Sequence, residues 1–173
     1  MAVQAGAGVT GERGDQQKGV GKPTSGAAFL LAQVGAHAAR LFAERIAALG
    51  LTPAHAGIFR ILSATPGMTQ KELAAALGTL PNRIVGLVDE LQDKGLIERK
   101  VQAQDRRRHA LEITEAGRKM NEALGVTARS HEAALLEALS EDERAQLASL
   151  LQRVADQQGL IPRVHPGYAQ SRY

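Results

Sequence analysis

The stretch TQKELAAALGTLPNRIVGLVDELQDKGLIERKVQAQDRRRHALEIT, Thr69 to Thr114, decides the fold of this chain. Thr69 followed three residues later by Glu72 is a capping box, which satisfies the free amides at a helix start. Leu73 and Leu77 give that helix an inner face, and Gly78 ends it. Pro81 suits the first position of a second helix, and Gly95 after Lys94 closes it. Leu80, Ile84, Leu87, Val88 and Leu91 form one apolar stripe on this second helix. Asn82, Arg83, Gly86, Asp89, Glu90 and Asp93 are thereby turned outward. Their order matters. Asn82 and Arg83 stand at the N-terminal end, where the helix dipole and unbonded amides favour a phosphate. The acids stand at the other end and have to point away from a polyanion. This is the pattern of a helix that enters a DNA major groove by its N-terminus.

Gly86 is out of place in such a helix, since an exposed mid-helix glycine costs about 1 kcal/mol relative to alanine. Either something approaches the backbone there or the cost is tolerated. Beyond Gly95, Leu96–Lys100 and Ala110–Thr114 read as two short strands, with Leu111 and Ile113 alternating with polar residues. The intervening VQAQDRRRH is expected to be a loop too long for a tight hairpin, strongly basic at Arg106, Arg107 and Arg108. Laid against phosphates, each of these cations would displace counterions and make affinity salt-dependent. Helix, turn, helix and basic hairpin together predict a winged helix-turn-helix domain over 51–114.

Working outward, 1–24 lacks apolar periodicity and is expected to be a flexible arm. Its Gly21-Lys22 resembles the end of a phosphate loop, but Gln16 and Pro23 stand where Gly and Ser or Thr are needed, and nucleotide binding is rejected. Leu30, Val34, Ala38, Leu41, Phe42, Ile46 and Leu49 predict a long amphipathic helix over 25–50, stopped by Gly50. Thr52-Pro53 starts the next, which carries Ile58, Phe59, Ile61 and Leu62 and ends at Pro66-Gly67. After the wing, Thr114 caps a long helix, and Ser140 with Glu143 caps another that ends at Gly159. Leu135, Leu136 and Leu139, then Leu147, Leu150, Leu151 and Val154, leave 115–158 with more apolar surface than one small domain covers. A helical dimerisation module built from the N- and C-terminal helices is the economical way to bury it. The tail, 159–173, is irregular and is expected to pack on a partner subunit. The fold class is therefore mainly α with a small β-wing.

Composition narrows the function. The chain has no cysteine, which excludes disulfides, thiolate metal sites and thiol redox sensing within it. Its net charge of +3 is only mildly basic, so the position of the arginines says more than their number. Nothing approaches the ~20 apolar residues of a membrane span, and with no apolar signal core at the N-terminus a cytoplasmic protein is expected. His37, His55, His109, His131 and His165 are scattered with no pair four apart, and no metal site or cofactor is expected. The motifs of zinc hydrolases, serine hydrolases and dinucleotide enzymes are absent, and Asp89/Glu90 and Asp142/Glu143 diverge around their helices, so an enzyme is not expected.

From Leu51 to about Gly117, and in layout across Ser25 to Gln157, the chain resembles the MarR family of bacterial transcription regulators. LVDELQDKGLIERK (Leu87–Lys100) and DRRRHALEITEAGR (Asp105–Arg118) carry the resemblance, with Ile113 in place of the usual Leu. It implies a homodimer on palindromic double-stranded DNA, most often a repressor. It also implies a wing pair in which Asp105 orients Arg107 toward the minor groove, while Arg106 and Arg108 hold phosphates. Thr69 and Gln70 would anchor the backbone, and Pro81, Asn82 and Arg83 would head the recognition helix. Gly86 stands where relatives often carry a polar residue, so one base contact would be missing. Release by a small aromatic or organic-acid effector is a further implication, with His37, Arg40 and His55 as its expected lining. The competing reading is a winged helix used for protein–protein contact without operator binding, against which the wing arginines argue.

Overall fold

The computed structural model describes residues 25–102, 105–162 and 164, and the side chains of 102–107 fall outside that description. The expected arm over 1–24, most of the tail, and the side chains of Asp105, Arg106 and Arg107 therefore lie outside the described residues. Six helices and a hairpin follow in the order α1 (Ala27–Ala47), α2 (Pro53–Ala64), α3 (Gln70–Ala76), α4 (Pro81–Asp93), β1 (Ile97–Gln102), β2 (Asp105–Ile113), α5 (Glu115–Leu135) and α6 (Glu141–Gln157).

Local chemistry sets the helix starts. The Thr69 hydroxyl accepts from the Glu72 amide at 3.3 Å, and the Glu72 carboxylate accepts from the Thr69 amide at 2.8 Å. Ser140 and Glu143 repeat the arrangement at the head of α6. At α2 the reciprocal partner is a histidine: His55 Nδ1 accepts from the Thr52 amide at 3.3 Å, while the Thr52 hydroxyl accepts from the His55 amide. Pro53 and Pro81 each open their helix, as expected.

The core lies where α2, α3 and α4 meet the base of the hairpin. Ile58, Phe59, Leu62, Leu73, Leu77, Ile84, Val88, Leu91, Ile97 and Leu111 are all buried there. Leu80 is not among them: it caps α4 and is 63% exposed, because its extended backbone turns it off the helical stripe. The segment before α3 adds an edge to the hairpin, through an isolated bridge from Thr69 to Ala110 and a bond from the Leu111 amide to the Met68 carbonyl at 2.8 Å.

The hairpin differs from its expectation. The strands pair antiparallel from Ile97↔Ile113 to Val101↔His109, and the next pair is Gln102↔Asp105. What reads as a long basic loop is therefore mostly strand, with Arg106, Arg107 and Arg108 inserted as a bulge between two consecutive partners on β1. The alternating pattern was hidden because three like charges in a row have no apolar period.

Gly117 fixes the joint between the hairpin and α5. A Cβ there would overlap the Leu96 carbonyl oxygen, so only glycine lets α5 pass this close to the start of β1. Thr114 ties the same joint, its hydroxyl donating to the Gly95 carbonyl at 2.7 Å and accepting from the Gly117 amide at 3.0 Å.

Outside this lobe burial is sparse. Among the described residues α6 buries none, and α1 buries only Ile46. Phe29, Leu31 and Val34 on α1 are exposed, as are Leu150, Leu151 and Val154 on α6. Of the tail, Val164 packs against the core of its own chain, and a Cβ at Gly78 would meet the Ile161 side chain at 2.9 Å. No helix among the described residues is long and apolar enough to cross a membrane.

Candidate nucleic-acid interface

The head of α4 carries the first group of candidates. Pro81, Asn82 and Arg83 are exposed on its first turn, and no side chain caps it. An uncapped N-terminus leaves backbone donors for an outside acceptor, and phosphate suits them. Gly86 lies one turn further on. No atom lies within 4 Å of the position a Cβ would take there, so nothing within the described chain demands a glycine. Val85 beside it is 43% exposed, off the buried row of Ile84, Val88 and Leu91.

The acids behave differently from a plain solvated face. Arg99 of β1 donates to Asp89 and, at 2.5 Å, to Gln92, so the hairpin is bound to the outer side of α4. Glu90 Oε2 lies 3.1 Å from Nε2 of His55, at an angle outside good hydrogen-bond geometry. Of the three acids at this end of the helix, Asp89 is thus paired within its own chain. The basic residue that neutralises Asp89 sits seven residues beyond Gln92, on a strand, where helical spacing does not look for it.

Thr69 and Gln70 head α3. Thr69 spends its hydroxyl on the capping box. Gln70 is half-buried, with its amide nitrogen covered and without a hydrogen-bond partner among the described residues. Arg108 reaches across from the bulge and donates to Glu72 Oε1 at 2.6 Å. Glu72 therefore uses both oxygens, one on Thr69 and one on the wing. The Thr69 amide and hydroxyl hold its carboxyl below the usual carboxylate range, with Arg108 adding to the effect. At the base of the hairpin, Lys100 sits between Glu112 at 2.7 Å and Glu98 at 3.0 Å, and these bonds raise its pKa. The backbone of β2 carries Asp105, Arg106 and Arg107 along the same bulge.

Among the described residues, hydrogen bonds join two of the expected effector residues and not the third. His37 and Arg40 are neighbours on α1, 3.3 Å apart, and Arg40 also donates to Glu44 at 2.6 Å. His55 is 1% exposed, serves the α2 cap, and has no hydrogen bond or ion pair to either of them among the described residues. Burial lowers its pKa, partly offset by Glu90. A different pair stands out between α1 and α5. Nη1 of Arg45 and Nδ1 of His131 are buried without a hydrogen-bond partner among the described residues. The Phe42 ring lies 5.5 Å from the His131 ring, and burial, then the Arg45 charge, lower the His131 pKa. Sequence reasoning missed this pair because its members lie far apart in the chain. No group of side chains suited to a metal ion occurs among the described residues.

Known proteins share the sequence pattern and the fold. Residues 49–108 match the model of the MarR family. A proposed transcriptional regulatory protein for the hcr operon of Thauera aromatica is 32% identical over 124 residues, which is 71% of this chain and 75% of that protein. The solved structure of the transcriptional repressor CouR bound to a 23-mer DNA duplex is 32% identical with a TM-score of 0.67, covering 75% of this chain and 92% of that one. A Mycobacterium tuberculosis MarR family protein in complex with DNA shares the fold at 23% identity and a TM-score of 0.66, over 75% of this chain and 98% of that one.

Proposed function

This chain belongs to the MarR family, transcription regulators rather than enzymes, and from that premise we propose that it binds a palindromic double-stranded operator as a homodimer and represses transcription. The observation that carries the reading is the pair of ties that make the helix heads and the wing one unit. Arg99 fixes β1 to α4, and Glu72 fixes the arginine bulge to the head of α3. A reading helix and a backbone-gripping wing act together only if their spacing is held, and these ties hold it. The exposed apolar faces of α1 and α6 support the homodimer, since a second copy would cover both. CouR, a repressor bound to a DNA duplex, supports DNA as the partner and repression as the mode.

In this reading Asn82 and Arg83 approach bases and phosphates, with Pro81 and Gly86 allowing close approach. Asp105 orients Arg107 into the minor groove, and Arg106 grips a phosphate. Arg108 is shared between Glu72 and the backbone. The test is a gel shift with the DNA flanking the protein's own gene. Retardation at moderate salt is expected, and Arg107→Ala should weaken it by roughly 1–3 kcal/mol with the dimer intact. Absence of retardation by the wild-type protein overturns the reading.

An aromatic or organic-acid effector is the second part of the proposal. Two buried unpaired nitrogens beside an aromatic ring suit a carboxylate with a ring attached. Arg45 and His131 would receive the anion, with His37 and Arg40 on the neighbouring turns of α1. Calorimetry with a panel of aromatic carboxylates checks this. Binding that is unchanged in Arg45→Ala/His131→Ala removes the assignment.

A further inference from the structure

The head of α4 presents an apolar side chain where a groove-reading helix is expected to be polar. Ile84, Val88 and Leu91 take the buried side of the helix. Asn82 is on the opposite side, and Val85 and Gly86 follow it at three and four residues, the spacing that makes neighbours on a helix surface. Val85 is 43% exposed one turn beyond Asn82, and beside it Gly86 adds no side chain, with open space where its Cβ would stand. Lone exposed apolar residues are ordinary on protein surfaces. This one differs by its place, between a hydrogen-bonding amide and an open backbone on the first two turns of the helix. In the major groove the only apolar group that a base pair displays is the thymine 5-methyl, and apolar side chains read it by contact.

We propose that Val85 is a specificity-determining residue that packs on the 5-methyl group of a thymine in each half-site. Gly86 gives the helix the closeness this contact needs, and Asn82 reads a neighbouring base edge. The proposal rests on the reading of α4 as the helix that enters the groove.

The experiment uses the full chain and a duplex selected from a random library by the wild-type protein. Each thymine of the selected site is replaced in turn by deoxyuridine, which removes the methyl and keeps every hydrogen bond. One thymine per half-site should cost the wild-type protein about fourfold in Kd, the value of roughly one buried methyl. Val85→Ala, which loses the contact in both half-sites, should bind the unmodified site about as weakly as the wild type binds a duplex with both of these thymines replaced, and should not respond to either replacement. Val85→Thr, which keeps a methyl, should retain the response. Indifference of the wild type to every replacement overturns the proposal, as does equal sensitivity in Val85→Ala. If the wild type selects no duplex at all, the DNA-binding reading falls and the proposal falls with it. That result is distinct from selection without methyl dependence, which overturns the proposal alone.

Discussion

The winged lobe and the flanking helices solve the burial problem in different ways. In α2 and α4 the apolar stripe is spent within the chain, with Ile58, Phe59, Ile84, Val88 and Leu91 inaccessible to solvent. In α6 the stripe of Leu147, Leu150, Leu151 and Val154 is as regular, and none of it is buried. Periodicity therefore states that a helix has a face to cover. It does not state whose surface covers it. The difference marks the lobe as the unit stabilised by its own core, and the outer helices as the unit that the proposed homodimer would complete.

The largest test of this contrast is a pair of substitutions. Phe59→Ala should cost about 3–5 kcal/mol, the range for a fully buried aromatic, at any protein concentration. Leu151→Asp or Val154→Asp should leave the lobe folded but shift the protein to monomers in sedimentation. The melting temperature should then lose its dependence on concentration, since association adds apparent stability only by mass action. A folded, concentration-independent wild type would break the contrast.

The joint between the two units gives the next largest effect. Gly117→Ala places a methyl on the Leu96 carbonyl, which is backbone and unable to swing aside. About 3 kcal/mol is expected, the upper part of the overpacking range. Calorimetric unfolding measures it, and a neutral result would mean that the joint yields and that α5 is not held where it lies.

The lobe was legible in the sequence for physical reasons that differ by element. Thr69/Glu72, Pro81 and Ser140/Glu143 act within four residues, so local pattern finds them. The hairpin was found but its strands were placed too short, because Arg106–Arg108 carry no alternation that could mark a strand. The histidine cap at His55 was missed because Glu or Gln is the usual reciprocal partner. Arg99–Asp89, Glu72–Arg108 and the Arg45/His131 pair were beyond reach for a different reason. Each joins separate elements, and side-chain ties of that kind depend on packing rather than on spacing. Val85 did leave a signal, as a β-branched apolar residue one step off an otherwise complete stripe.

Gly86 separates stability from recognition inside the lobe itself. Its Cβ position is open, so Gly86→Ala should stabilise the free protein by about 1 kcal/mol through helix propensity alone. In the proposed operator complex the same methyl would stand between the helix and the groove floor, and affinity should fall. A variant that is both more stable and tighter on DNA would show that no close approach occurs at this turn.

The smallest effect expected is a pH dependence centred on the α2 cap. His55 is buried, and its pKa lies below the ordinary histidine value because burial outweighs the nearby Glu90 carboxylate. The unfolded chain therefore binds a proton on this residue at a higher pH than the folded chain does. Its contribution to stability is complete above the unfolded value of about 6.5 and is lost as pH falls toward the folded value. There is also a structural reason for the direction. Nδ1 must stay unprotonated to accept the Thr52 amide, so a second proton on the ring converts the acceptor into a donor and opens the cap. His55→Gln keeps an acceptor at the third helical position and removes the titration. Chemical denaturation between pH 7 and 5 should show a shallower loss of stability for His55→Gln than for the wild type, with the residual slope shared by His131, whose pKa is lowered in the same sense. Parallel slopes would place the acid sensitivity elsewhere, and would mean that the α2 cap tolerates the charged ring.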